Sequence, residues 1–207
     1  MSIGEDGPSQ MALEDLAMFR TIPNALVFYP SDGVSMERAI ELSAQFTGIA
    51  FVRTSRPATP VIYSNDEVFA VGQAKVVRSS PNDSVLLVGS GVTLFEALNA
   101  ADTLSKQHNV YARVIDPFTI KPLDQETLLQ NALQVGGLVV TVEDHYPEGG
   151  IGEAVSGALS GASNVVVKSL AVREIPRSGP PAVLIEKYGI GANSIVKTVL
   201  ELVNNTN

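Results

Sequence analysis

The chain has 207 residues, 45% of them apolar and 17% charged, which suits one or two globular domains and excludes a disordered chain. Its 14 Lys and Arg against 22 Asp and Glu leave a net charge of −8, a poor match to nucleic acid or an anionic membrane surface. The absence of Cys excludes disulfides and thiolate chemistry, two His exclude a His-rich metal site, and no apolar run nears the ~20 residues of a membrane span.

In chain order, helical periodicity alternates with short β-branched strands. This is an α/β pattern with a mostly parallel sheet covered on both faces. Ser9, Glu14 and Asp15 with Ala12, Leu16 and Phe19 predict one helix over 9–20, ended by Pro23 and Asn24. A strand over 25–29, a turn at Pro30–Gly33, a helix over 34–46 with Met36, Ala39, Ile40 and Phe46 inward, and a strand over 49–54 follow. Residues 56–67 hold two Pro and no clear period, and read as a surface linker.

Beyond it the unit is more complete. Strands are expected over 74–78, 85–88, 111–115, 138–142 and 165–171. Helices are expected over 92–107, over 124–134 with Asp124 as cap, over 151–160 and over 193–204. This is enough for a self-contained doubly wound domain over 68–207. The segment 1–67 supplies only two strands and two helices, and reads as the end of an incomplete α/β domain.

Residue chemistry alone names no reaction. Three Gly-x-Gly stretches, at 89–91, 150–152 and 189–191, precede helices, but none completes a phosphate-loop motif, and tight packed turns explain them. Glu143-Asp144-His145 ends a strand and offers an acid–base pair without a nucleophile; a polar loop or subunit interface is the plainer reading. Asp116-Pro117, also at a strand end, reads as a turn. Asp6 and Gln10 flank a helix start that could orient a polar or anionic ligand, with a capped turn as the alternative. Arg53 and Arg56 flank a strand end, where a guanidinium suits phosphate or carboxylate, with surface ion pairs as the alternative.

Several runs closely resemble transketolase, in its animal form: GEDGPSQMALEDLAMFR (4–20), FYPSDGV (28–34), FVRTSRP (51–57), VGQAKVV (71–77), IDPFTIKPLD (115–124), TVEDHYPEGGIGEAVSGAL (141–159) and PRSGPP (176–181). The resemblance spans essentially the whole chain. It implies the last part of a pyrimidine-binding domain (1–67) followed by a C-terminal domain (68–207). It also implies a cytoplasmic transferase of the pentose phosphate pathway that moves a two-carbon ketol unit between sugar phosphates, using thiamine diphosphate and a divalent metal (Mg or Ca). By that resemblance Asp6 and Arg56 bind substrate, at a hydroxyl and at the phosphate, and Gln10 lies beside the cofactor. The activating glutamate, the metal ligands and the diphosphate cradle lie upstream in the family, so the chain supplies no catalytic or metal residue of its own. Alone it is expected to be inactive. The expected assembly is a homodimer or an association with full-length transketolase, the latter including the alternative of a non-catalytic short isoform acting as an interaction module.

Overall fold

The computed structural model describes residues 1–206, with side chains to residue 204. The segment expected as one helix over 9–20 is broken in two. A 3-10 turn at Gly4–Asp6 leads into α1 (Pro8–Met11), and Ala12 adopts left-handed backbone (φ 49°, ψ 49°) before α2 (Asp15–Arg20). The break follows from burial. Met11, Leu13 and Leu16 are the side chains that reach the interior, and 11, 13 and 16 do not share one face of a straight helix. Ala12, assigned to the buried face by periodicity, is exposed, and Ser9 lies inside α1 and caps nothing.

Strands β1 (Leu26–Phe28) and β2 (Ala50–Val52) pair in parallel across α3 (Gly33–Ala44). Asp32 caps α3: its carboxylate accepts from the Ser35 amide at 2.8 Å, while the Ser35 hydroxyl accepts from the Asp32 amide. The inward face of α3 is Val34, Ser35 and Ala39; Ile40, expected inside, is 49% exposed.

The larger sheet has strand order β3 (Lys75–Arg78), β5 (Tyr111–Asp116), β4 (Asp83–Gly89), β7 (Leu138–Val142), β8 (Val166–Leu170). All neighbours are parallel except β3 with β5. Along β4 the side chains alternate. Val85 and Leu87 pack under α4 (Val92–Thr103) and α8 (Ala192–Thr206), whereas Leu86 and Val88 pack under α5 (Gln125–Gln134) and α6 (Ile151–Leu159). Helices on both faces make the unit doubly wound, as expected. The Asp124 carboxylate caps α5 through the Thr127 amide at 3.0 Å, also as expected. A single π-helical turn (Leu104–His108) ends α4, and Asn109 in left-handed backbone turns the chain into β5.

Two elements were not read from the sequence: strand β6 (Thr119–Lys121) and helix α7 (Pro181–Lys187). Strand β6 pairs antiparallel with β1, so the small sheet runs β2-β1-β6 and takes its third strand from the second unit. The interiors are continuous as well. Met11 and Leu13 pack in the cluster holding Val85 and Leu87, and Leu16, Val27 and Tyr29 pack with Leu86, Val88 and Ile115. Residues 56–67 carry no helix or strand, in line with the linker reading, yet they are tied down: the Ile62 and Tyr63 amides donate to Asp32 Oδ2 at 2.9 and 3.1 Å.

Candidate functional site

The carboxyl end of β2 and the α1–α2 break enclose a cleft of about 490 Å³, lined by Gln10, Asp15, Tyr29, Arg53, Arg56 and Asp144 among others. A second cleft of about 430 Å³ shares Ser2 and Arg56 with it and adds Glu5, Asp6 and Pro181. Asp6 and Arg56 form an ion pair across the mouth, with side chains 45% and 62% exposed. Gln10 is exposed on α1. Asp6, Gln10 and Arg56, fifty residues apart at the extremes, thus border two clefts that share Arg56. The suggestion that a helix start orients a ligand between Asp6 and Gln10 does not hold, because α1 is a single turn of four residues.

Arg53 has the opposite character. It is 6% exposed and fixed on three sides. Its Nε donates to Asp15 Oδ2 at 3.0 Å, its Nη2 donates to the Ala12 carbonyl at 3.3 Å, and its guanidinium lies 4.8 Å from the centre of the Tyr29 ring. Burial lifts the Asp15 carboxyl above its ordinary value, and Arg53 opposes that shift. Burial also pushes the Tyr29 hydroxyl up to about 12, so the ring under Arg53 stays neutral at physiological pH.

Glu143, Asp144 and His145 do not form an acid–base pair. The Glu143 carboxylate accepts from the Ile151 amide at 2.5 Å and the Gly152 amide at 3.0 Å, closing the start of α6. Burial raises its pKa to about 7, and those two hydrogen bonds hold it from rising further. His145 is buried: Nδ1 contacts the Tyr146 carbonyl at 2.6 Å and Nε2 accepts from the Ala17 amide at 3.4 Å. Those partners fix the neutral ring with its proton on Nδ1, and burial lowers its pKa accordingly. Asp144 accepts from the Met1 amine.

The glycine stretches are packing devices. A Cβ on Gly91 (φ 57°) would lie 2.2 Å from the Tyr29 ring. One on Gly150 would lie 1.9 Å from Glu143 Oε2, and one on Gly191 would lie 2.3 Å from Glu186 Oε1. The amides at 151 and 152 that a phosphate would need are already taken by Glu143. Asp116 is more than a turn residue. Fully buried, it accepts from Ser31 Oγ at 2.8 Å, Tyr63 Oη at 2.9 Å, Ser90 Oγ at 3.0 Å and the Phe118 amide at 3.0 Å. No spacing in the sequence signals this convergence of four segments.

Against known families, residues 1–61 match the transketolase pyrimidine-binding domain and residues 72–195 match the transketolase C-terminal domain. The chain belongs to the transketolase family. It is 59% identical to mouse transketolase over 203 residues, 98% of this chain and 32% of that protein. It is 58% identical to bovine transketolase-like protein 1 over 199 residues, 96% of this chain and 33% of that one. The chain therefore spans about a third of the curated relatives it matches. A solved split-gene transketolase, described as an inactive β4 tetramer, superposes with a TM-score of 0.85 at 34% identity, covering 94% of this chain and 62% of that one. Within the transketolase frame, the runs that carried the resemblance include Asp6 and Gln10 on the 3-10 turn and α1, and Arg56 just beyond β2. Among the described residues, no group of three or more His, Cys, Asp or Glu could hold a metal ion, and no helix is long and apolar enough to cross a membrane.

Proposed function

We propose that this chain is the carboxyl-terminal part of a cytoplasmic transketolase, residues 1–67 ending its pyrimidine-binding domain and residues 68–207 forming its C-terminal domain. The complete enzyme would move a two-carbon ketol unit from a ketose phosphate to an aldose phosphate. The observation that carries this reading is the placement of Asp6, Gln10 and Arg56 around two clefts that share Arg56. The chemistry suits sugar phosphates. The planar Arg56 guanidinium matches phosphate oxygens, and the Asp6 carboxylate accepts from sugar hydroxyls. A phosphate arriving at Arg56 competes with Asp6, so binding redistributes that ion pair.

Thiamine diphosphate, when bound, supplies the nucleophilic carbon that carries the ketol unit. The residues present fit only one side of it: the Gln10 amide offers a donor and an acceptor at the cleft, and a Mg or Ca ion finds no donor set among the described residues. The family resemblance assigns its remaining contacts to the upstream part of the enzyme. The solved relative described as an inactive β4 tetramer supports self-association and inactivity of this part alone.

A direct test is ketol transfer with xylulose 5-phosphate and ribose 5-phosphate, thiamine diphosphate and Mg. The purified chain should show no turnover. A hybrid with this chain in place of the corresponding third of mouse transketolase should be active. In that hybrid, Arg56→Ala should raise KM for sugar phosphates about tenfold or more, from loss of a charge-assisted contact. An inactive but folded hybrid, or an unchanged KM, would refute the reading.

A further inference from the structure

Among the described residues, two buried side-chain polar atoms lack a hydrogen-bond partner: Thr141 Oγ1, inside β7, and Arg53 Nη1. Only the second belongs to a residue that lines the cleft. A buried guanidinium nitrogen left without an acceptor costs about 1–3 kcal/mol, so such an atom calls for an explanation. Nothing about Arg53 is loosely placed. Asp15 holds Nε, the Ala12 carbonyl holds Nη2, and the Tyr29 ring covers one face of the fork. These three contacts use the side chain's reach and leave Nη1, one end of a rigid, always charged donor, without an acceptor.

We propose that Arg53 is a second, inner anchor of the cleft: its Nη1 donates to a hydroxyl or carbonyl oxygen of a sugar phosphate whose phosphate is held at the outer Arg56. This rests on the proposed function and deepens it by assigning specificity. Arg56, largely exposed, attracts any phosphate; Arg53, buried, rewards only a ligand with an oxygen-bearing body behind the phosphate. The same contacts make Arg53 a positioning residue for α1, because the Ala12 carbonyl it binds sits at the left-handed bend next to Gln10 and Met11. A neutral apolar ligand gains nothing from either arginine.

The test uses the 207-residue chain with ¹⁵N-labelled arginine, titrated with inorganic phosphate and with ribose 5-phosphate. The expected result is that ribose 5-phosphate binds about tenfold tighter than inorganic phosphate and alone moves the Arg53 guanidinium resonance. Arg53→Lys, which keeps a cation for Asp15 but has no Nη1, should shrink that preference to about twofold or less while inorganic phosphate binds as before. Arg56→Ala should weaken both probes. Equal affinity for the two probes, no binding of either, or an Arg53 resonance that stays still with ribose 5-phosphate would overturn the proposal. The wild-type resonance decides the matter even if the lysine variant misfolds. Failure here with an active hybrid enzyme removes only the inner anchor. Binding as expected with an inactive hybrid removes the transketolase reading and leaves the anchor standing.

Discussion

At the residue scale, burial sorts the polar side chains around the cleft. Asp6, Gln10 and Arg56 are exposed at the cleft, whereas Glu143, His145 and Asp116 are buried and spend their hydrogen bonds on backbone and hydroxyl partners. Glu143 has a consequence for pH. Its carboxyl is raised to about 7 from an ordinary 4.5, so between those values the folded chain binds more protons than the unfolded one. Stability contributed by this group is therefore full below about pH 4.5 and is lost as pH rises toward 7. Glu143→Gln should flatten the fall in unfolding free energy between pH 5 and pH 7, measured by urea denaturation at each pH; an unchanged slope would remove Glu143 as its source. Gly91 makes the opposite kind of demand, on space. Its φ of 57° and the Tyr29 ring 2.2 Å from a Cβ leave no room for a side chain. Gly91→Ala should cost about 2–4 kcal/mol of stability, read as a lower denaturation midpoint.

Elements are joined here by a few polar side chains at strand ends. The Asp116 carboxylate draws together Ser31 after β1, Tyr63 of the linker and Ser90 after β4. Asp116→Ala would strand those donors in a dry site. The expected loss is about 3–5 kcal/mol, against about 1 kcal/mol for Tyr63→Phe, which deletes one donor and leaves the carboxylate three others. Comparable losses for the two variants in denaturant unfolding would show that Asp116 is not the hub. Strand β6 is anchored in a similar way, since Lys121 Nζ donates to the carbonyls of Arg20 at 2.8 Å and Ile22 at 2.5 Å, closing the end of α2. The stacked rings of Phe19 and Phe51, with centroids 4.0 Å apart, close the other side of that helix against β2.

At the scale of the whole molecule, the two units share strands and interior. The carboxyl edge of an open parallel sheet, beside the turn after β4, is where such folds receive ligands. Here that turn, Gly89–Gly91, lies under Tyr29, and the Gly91 amide donates to Ser31 Oγ at 2.9 Å. The first unit thus covers the crevice of the second, and the cleft opens instead beside α1 and β2. Shared cores also imply shared unfolding. Fluorescence, which follows the tyrosines, and far-UV circular dichroism should report one coincident thermal transition for the 207-residue chain. Two separated transitions would show that residues 1–67 and 68–207 are energetically independent.

Much of the fold was legible because α5, α6 and the strands β4, β5 and β7 follow local rules: an Asp124 cap, apolar runs of strand length, and helical periodicity between them. The resemblance of GEDGPSQ, FVRTSRP and their companion runs was enough to name the family and to single out Asp6, Gln10 and Arg56. The rest depended on contacts between residues distant in sequence. Three residues of β6 carry no strand signal until β1 offers them an edge. The bend at Ala12 costs backbone strain that Met11, Leu13 and Leu16 offset by burial, and the Arg53 guanidinium holds the Ala12 carbonyl in place. Composition could not say whether Glu143 was an acid or a cap, because that depends on two amides eight and nine residues away being brought within hydrogen-bond reach. The sequence by itself determined the α/β order, the family and the residues bordering the site. Only the tertiary structure decided which polar groups stay exposed and which are buried, because desolvation and hydrogen-bond partners exist only once the chain has packed.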